Sequence, residues 1–354
     1  MSEHANREVE TLLRRAVRAG FAPAAVARWG RTGDTRQVAI GAAHETLFDL
    51  ASLTKPLATT SLVMQAWRDG SISLQGRVDE ILPELEGTAV GALVLKTLLT
   101  HTSGLPGWLP LYCLADGDPG LLLRALGRIE LEAEPGKQVE YSCIGYVIVG
   151  VMLERIAGAR LDRLFTSQIA GPLGLAEEIG FRPSCDDREV AGGAMEPVVE
   201  RRMVRAMGLD PGLVPAVGIG LPDDGNARFL GGAAGNSGLF GTARAVWELA
   251  MQHLAPGSQL FSDEPISLAV RCHTRGLQQD RGLGWQLAST NGCSAGGSLT
   301  PEAFGHTGYS GTSVWVDPAQ RSCCVLLTNR NFPWPREVDL HPLRRRFHTL
   351  CSRD

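Results

Sequence analysis

Lysine is scarce in this chain. Of its 34 basic residues only Lys55, Lys96 and Lys137 are lysines, and the formal net charge is −4. No basic block suits a nucleic-acid backbone. Arg344-Arg345-Arg346 comes nearest and reads as the solvated face of a terminal helix. Long apolar runs are missing too. The longest candidate, Val147 to Leu153, falls far short of the roughly 20 residues that span a bilayer. The first ten residues hold no apolar signal core, so the expected location is the cytoplasm. We therefore expect no nucleic-acid partner and no membrane association.

The eight cysteines form no C-x-x-C, and no Cys/His group has zinc spacing. Cys113, Cys143, Cys185, Cys272, Cys293 and Cys351 are scattered. Cys323 and Cys324 are adjacent, which in a strand sends them to opposite faces and suits no shared metal. All read as reduced and structural, with no metal and no cofactor. H-E-x-x-H is absent, which disfavours a metallohydrolase. The nucleophile elbow G-x-S-x-G is absent as well. Gly235-Asn236-Ser237-Gly238 only approaches it, and Ser103 precedes Gly104 without a glycine before it. His101 reads as a structural, hydrogen-bonded histidine.

At 354 residues, 44% hydrophobic and 20% charged, the chain is long enough for a sizeable core in one or two domains. Helical periodicity marks residues 7–18, 53–68, 94–99, 121–126, 144–156, 161–169, 243–253, 264–272 and 338–351. Strand-like runs cover 24–29 and 37–42, with Gly33-Asp34 as a hairpin turn, and then 284–288, 303–307, 312–317 and 322–328. Residues 182–241 are rich in glycine and proline with little periodicity, a loop long enough to be functional or a lid. This order predicts an α+β fold: an antiparallel sheet flanked by helices, plus a mostly helical domain. The expected division is 1–70 with 242–354 for the sheet domain and 71–241 for the helical one.

Three stretches carry chemistry. In Asp49-Leu50-Ala51-Ser52-Leu53-Thr54-Lys55-Pro56, Ser52 and Lys55 stand nearly one helical turn apart. A buried lysine beside a hydroxyl can take its proton. Apolar residues on most sides of 53–68 predict a buried helix whose N-terminus favours developing negative charge at Ser52. Tyr141 follows Pro135-Gly136 and precedes an apolar helix, so its phenol could be fixed at a loop tip. Gly305-His306-Thr307-Gly308-Tyr309-Ser310-Gly311 places small and polar residues inside an apolar strand pair, a suitable edge for an extended acyl substrate.

S-x-x-K, then Y-S-x, then H-T-G, in this order, resembles the serine β-lactamase and penicillin-binding-protein superfamily, closest to its class C-like branch. Leu98 to Pro106, Gly231 to Phe240 and Leu326 to Arg330 resemble that branch as well. The resemblance implies a β-lactamase/transpeptidase-like fold with Ser52 as nucleophile and Lys55 with Tyr141 as general base. It further implies an oxyanion hole from the backbone N–H groups of Ser52 and Tyr309, and a substrate edge of Cys143, His306, Thr307 and Gly308. The family's lactamases commonly have asparagine where Cys143 stands, and often lysine where His306 stands. A thiol replaces an amide poorly, and a histidine is largely neutral at pH 7. The expected function is therefore a serine hydrolase on ester or amide bonds of a small acyl substrate, foremost an esterase. A β-lactamase, a D-aminopeptidase or D-amino-acid amidase, and a catalytically silent binding protein are the alternatives. Cys143 as a nucleophile of its own would need a thiolate-stabilising neighbour, which the sequence does not show. Oligomeric state is not legible.

Overall fold

The computed structural model describes residues 3–183, 188–335 and 338–352; Cys185 lies outside the described residues. Among the described residues, nine strands build two sheets. They are β1 (Ala25–Arg31), β2 (Asp34–Ile40), β3 (Phe48–Asp49), β4 (Ile179–Phe181), β5 (Leu239–Gly241), β6 (Gln286–Leu287), β7 (Phe304–Thr307), β8 (Ser313–Asp317) and β9 (Ser322–Thr328). The larger sheet is antiparallel in the order β2-β1-β9-β8-β7-β6. Its first two strands come from the start of the chain and the other four from the end. β1 pairs with β9 over its whole length, from Ala25 opposite Thr328 to Arg31 opposite Ser322.

β9 is buried along all seven residues because both faces of the sheet are covered. On one face the terminal helices Glu3–Arg18 and His341–Cys351 pack Val9, Leu13 and Phe347 against Trp29 and Cys324. Complete burial of a side chain such as Phe347 contributes roughly 1.5–3 kcal/mol. On the other face Trp247, from the helix Ala243–Met251, donates its indole N–H to the Cys323 carbonyl at 3.2 Å. Cys323 and Cys324 thus enter different clusters on opposite faces, as their adjacency predicts. Among the described residues no helix is long and apolar enough to cross a membrane.

The small sheet, β3-β5-β4, is the element the sequence pattern did not reveal; its strands have only two or three residues. It joins Phe48–Asp49, just before Ser52, to Leu239–Gly241, the end of the long segment. That segment is also more ordered than its composition suggests. It contains the helix Val198–Ala206 and a shorter one, Gly225–Phe229. Of the first, Val204 alone is buried, so its apolar stripe is too thin to stand out.

Two helical expectations need refinement. Residues 53–68 are helical but not one α-helix: Ala51–Leu53 is a 3₁₀ turn, Lys55–Thr60 is π-helical, and Ser61–Arg68 is α-helical. Pro56 has no N–H to give, and its carbonyl accepts from Ser61 Oγ at 3.3 Å. Such wide turns recur at functional sites. Of the terminal arginines, Arg345 and Arg346 are exposed, as expected of a solvated face, and only Arg344 departs from it. Arg344 is no solvated residue. It reaches under the β7–β8 turn and donates to the carbonyls of Gly308 at 2.7 Å and Thr312 at 3.1 Å.

Candidate active site

Ser52 sits on a strained turn. Ala51, just before it, has φ +48, a left-handed conformation that costs a non-glycine residue roughly 1–2 kcal/mol. Neighbouring bonds hold it there. Asp49 Oδ1 accepts from the Ala51 N–H at 2.8 Å, and Thr54 Oγ1 donates to the Ala51 carbonyl at 2.7 Å. From the sheet, Ser310 Oγ donates to the Asp49 carbonyl at 2.7 Å. The turn therefore docks on the end of β7. Gly308 is required at this junction, because a Cβ there would lie 2.8 Å from the Leu50 carbonyl oxygen and 2.2 Å from Thr312 Oγ1.

Lys55 is wholly buried, against an exposed Lys137 and a half-buried Lys96. Its Nζ donates to Ser52 Oγ at 3.1 Å and to the Asn236 carbonyl at 3.0 Å, and lies 3.5 Å from Cys143 Sγ. The rings of Tyr141 and Tyr146 flank it at 5.0 and 5.7 Å. Burial by itself would lower the Lys55 pKa; the charges that Cys143 and Tyr141 acquire on ionisation outweigh it and raise the value. Burial raises the Tyr141 phenol, with Lys55 opposing. Tyr141 Oη is shielded from solvent and close enough to Ser52 and Lys55 for interaction with each to oppose the rise in its pKa. A buried hydroxyl thus stands beside a serine–lysine pair, an arrangement of the kind that shifts pKa values at functional sites.

Tyr141 is held by its neighbours in sequence and space. Ser142 caps the helix Cys143–Ala157, accepting from the Gly145 N–H at 3.3 Å and donating to the Pro106 carbonyl at 2.7 Å. His101 Nδ1 accepts from the Ser142 N–H at 3.1 Å, and its ring lies 4.4 Å from that of Tyr141. Burial pushes the His101 pKa far down, so this neutral ring positions the tyrosine loop, in keeping with its structural reading.

β7 forms the facing edge. β6 covers it only at Phe304 and Gly305, leaving His306 and Thr307 open toward the cleft. His306 Nδ1 donates to the Thr307 carbonyl at 2.8 Å, and burial holds its pKa well below the usual value, so the ring is neutral. Among the described residues, neither the Ser52 N–H nor the Tyr309 N–H is tied up in a turn or loop hydrogen bond to the backbone. Cys143 does have the neighbour that the sequence withheld, Lys55. Burial nonetheless dominates and raises the thiol pKa, so the group stays protonated.

Two cavities meet at Ser52, Tyr141 and Tyr309. One, of about 420 Å³, runs past His306 and Thr307 to Arg281, Arg330 and Arg344. The other, of about 360 Å³, opens between Trp108, Cys143, Met203 and Asp224. The long segment 182–241 supplies much of the second wall. Several of these residues escaped the sequence reading. Asn236 lay in the Gly235-Asn236-Ser237-Gly238 near miss, and it holds Lys55 through its backbone carbonyl, which no side-chain motif encodes. Arg281 comes from a stretch with no distinguishing pattern.

The whole length of the chain can now be compared with known proteins. A sequence model of the beta-lactamase family matches residues 13–348. The chain belongs to the beta-lactamase family. A relative provisionally named D-alanyl-D-alanine carboxypeptidase, from Escherichia coli (strain K12), is 28% identical over 314 residues, 80% of this chain and 69% of that one. Among solved structures, the beta-lactamase/D-alanine carboxypeptidase from Pseudomonas syringae superposes with TM-score 0.76 at 17% identity, covering 99% of each chain. EstCE1, described as a hydrolase with promiscuous acyltransferase activity, gives 0.72 at 22% identity over 97% of this chain and 98% of that one. At such identities the structural likenesses establish the shared fold. For a beta-lactamase-family chain, the α+β architecture with its antiparallel sheet is the expected one.

Proposed function

We propose that this protein is a serine hydrolase that works through an acyl-enzyme on Ser52, with esters as its foremost substrates. The observation that carries this reading is the buried Lys55 amine 3.1 Å from Ser52 Oγ, with the Tyr141 ring 5.0 Å from the same nitrogen. Lys55 and Tyr141 together accept the Ser52 proton as Oγ attacks the acyl carbonyl. The Ser52 and Tyr309 N–H groups receive the oxyanion. Tyr141 returns the proton to the leaving group, and the same pair activates the water that releases the acyl group. Thr307 and Gly308 border the substrate on the open edge of β7.

The Cys143 thiol supports ester over lactam turnover, since it does not supply the amide common in lactamases. A second reading has its own support. Arg281 and Arg344 line the same cleft, and among the described residues neither forms an ion pair. A guanidinium without a carboxylate partner suits a substrate that brings one, as a peptide with a free C-terminus does. The test is a panel of p-nitrophenyl acetate and butyrate, nitrocefin and D-amino-acid amides, run on wild type and Ser52→Ala. Short-ester turnover lost in Ser52→Ala supports the reading; equal inactivity of the two proteins on every substrate refutes it.

A further inference from the structure

The two cavities that meet at Ser52 have opposite polarity. The arginine-bearing one has Arg281, Arg330 and Arg344 and no carboxylate in its lining. The other is lined by Glu196, Glu200, Asp223 and Asp224, with no lysine, arginine or histidine. Glu200 is neutralised by Arg228 at 2.5 Å. Among the described residues the other three form no ion pair. Asp223 is fixed by the Ala194 N–H at 2.8 Å and Asn331 Nδ2 at 2.7 Å, and its own N–H donates to Asp49 Oδ2 at 2.8 Å. Behind it, burial and the charge of Asp223 hold the Asp49 carboxyl up at about 7.

Two buried side chains in the same wall have unused acceptors. Asn331 is 1% exposed; it spends its amide N–H on Asp223 and leaves Oδ1 without a partner. Ser237 is 3% exposed and its Oγ has none either. Carboxylates outside any close ion pair, with Asp224 in electrostatic reach of Lys55, stand next to buried acceptors without donors and suit a cationic donor. An ammonium has three N–H donors and no acceptor. The remaining wall is apolar, with Trp108, Met203 and Val217.

We propose that the acyl half of the substrate carries an ammonium group, seated against Asp223 and Asp224, with its hydrocarbon on the apolar wall; the substrate is an aminoacyl ester or amide. The inference rests on the hydrolase reading and narrows its substrate class. An ammonium on one side of a scissile bond and a carboxylate on the other describe an amino acid joined through its carboxyl group to a second acid, so the amine belongs to the half that acylates Ser52. In the reaction the Ser52 Oγ–acyl bond forms as the bond to the leaving oxygen or nitrogen breaks. The Ser52 proton passes through the Lys55–Tyr141 pair to that leaving atom, and water then releases the free amino acid.

The test compares D- and L-leucine methyl ester with methyl 4-methylpentanoate, which lacks only the amine. It is run at pH 6.5, below the usual amine pKa of about 7.7–8.0. Expected is a kcat/KM at least tenfold higher for one enantiomer of the amino ester. Asp224→Asn, which still caps the helix Gly225–Phe229, should cut that preference at least tenfold. The variant comparison removes the intrinsic reactivity of amino esters, because both proteins meet the same substrates. Asp223→Asn is the second arm. No preference in wild type, or a preference that both variants retain, overturns the inference while turnover of the neutral ester leaves the hydrolase reading standing. No turnover of any ester by wild type brings down both.

Discussion

One added methyl group at Gly308 should disable the site while the fold survives. The end of β7 and the nucleophile turn approach so closely that a Cβ at 308 would lie 2.2 Å from Thr312 Oγ1, 2.8 Å from the Leu50 carbonyl oxygen and 3.3 Å from the Ala51 Cβ. The first two contacts are well inside the ~3.5 Å at which such atoms rest. The Thr312 hydroxyl can rotate away. The Leu50 carbonyl cannot, since it belongs to the strained turn that holds Ser52. Gly308→Ala must therefore push β7 off that turn and carry the Tyr309 N–H out of line. Loss of one oxyanion donor costs about 2.7–4 kcal/mol, a fall of about 10²–10³ in kcat. The overpacking itself costs roughly 1–3 kcal/mol of stability. The assay is kcat on p-nitrophenyl butyrate, with circular dichroism and a thermal melt on the same sample. The double variant Gly308→Ala/Thr312→Ala removes the shortest contact and should recover part of the loss. A folded Gly308→Ala enzyme with kcat close to wild type would refute the proposed oxyanion role of Tyr309.

Two further predictions concern protons. Because Lys55 and Tyr141 are both shifted upward, kcat/KM should climb with pH through and above neutrality. His101 and His306 stay neutral and should add no inflection near 6.5; a limb there would contradict the assignment. Tyr141→Phe should lower kcat/KM by about 10²–10⁴, the usual range for positioned acid–base groups. Cys143 is a half-buried thiol with a raised pKa, so iodoacetamide should modify it slowly at pH 7. Cys143→Ser should lower kcat on p-nitrophenyl acetate by less than about tenfold, or 1.4 kcal/mol; complete loss would point to the sulfur as nucleophile.

Much of the scaffold was legible because its long elements follow strong periodicity. β9 is a continuous apolar run, the helix Cys143–Ala157 is apolar all round, and the β1–β2 hairpin turns at Gly33. The approach of Lys55 to Ser52 was legible through spacing, since the two are local neighbours. What stayed hidden depends on tertiary approach. The small sheet rests on pairs two or three residues long. The Asn236 contact with Lys55 uses a backbone carbonyl, and Gly235 beside it is required only because a Cβ would lie 2.0 Å from the Tyr146 carbonyl oxygen. Arg344 misled for a related reason. Within its basic triplet it looks like its neighbours, and only the β7–β8 turn above it supplies carbonyls for the guanidinium. The cation that His306 lacks thus enters the cleft from other elements.

The central claim is that Ser52 is an activated nucleophile. Its most direct test is intact-mass spectrometry after exposure to a fluorophosphonate probe, on wild type and on Ser52→Ala. The account predicts a single stoichiometric adduct on wild type, mapped to Ser52 by peptide sequencing, and none on Ser52→Ala. An unmodified wild-type protein, or an adduct that persists in Ser52→Ala, would contradict it.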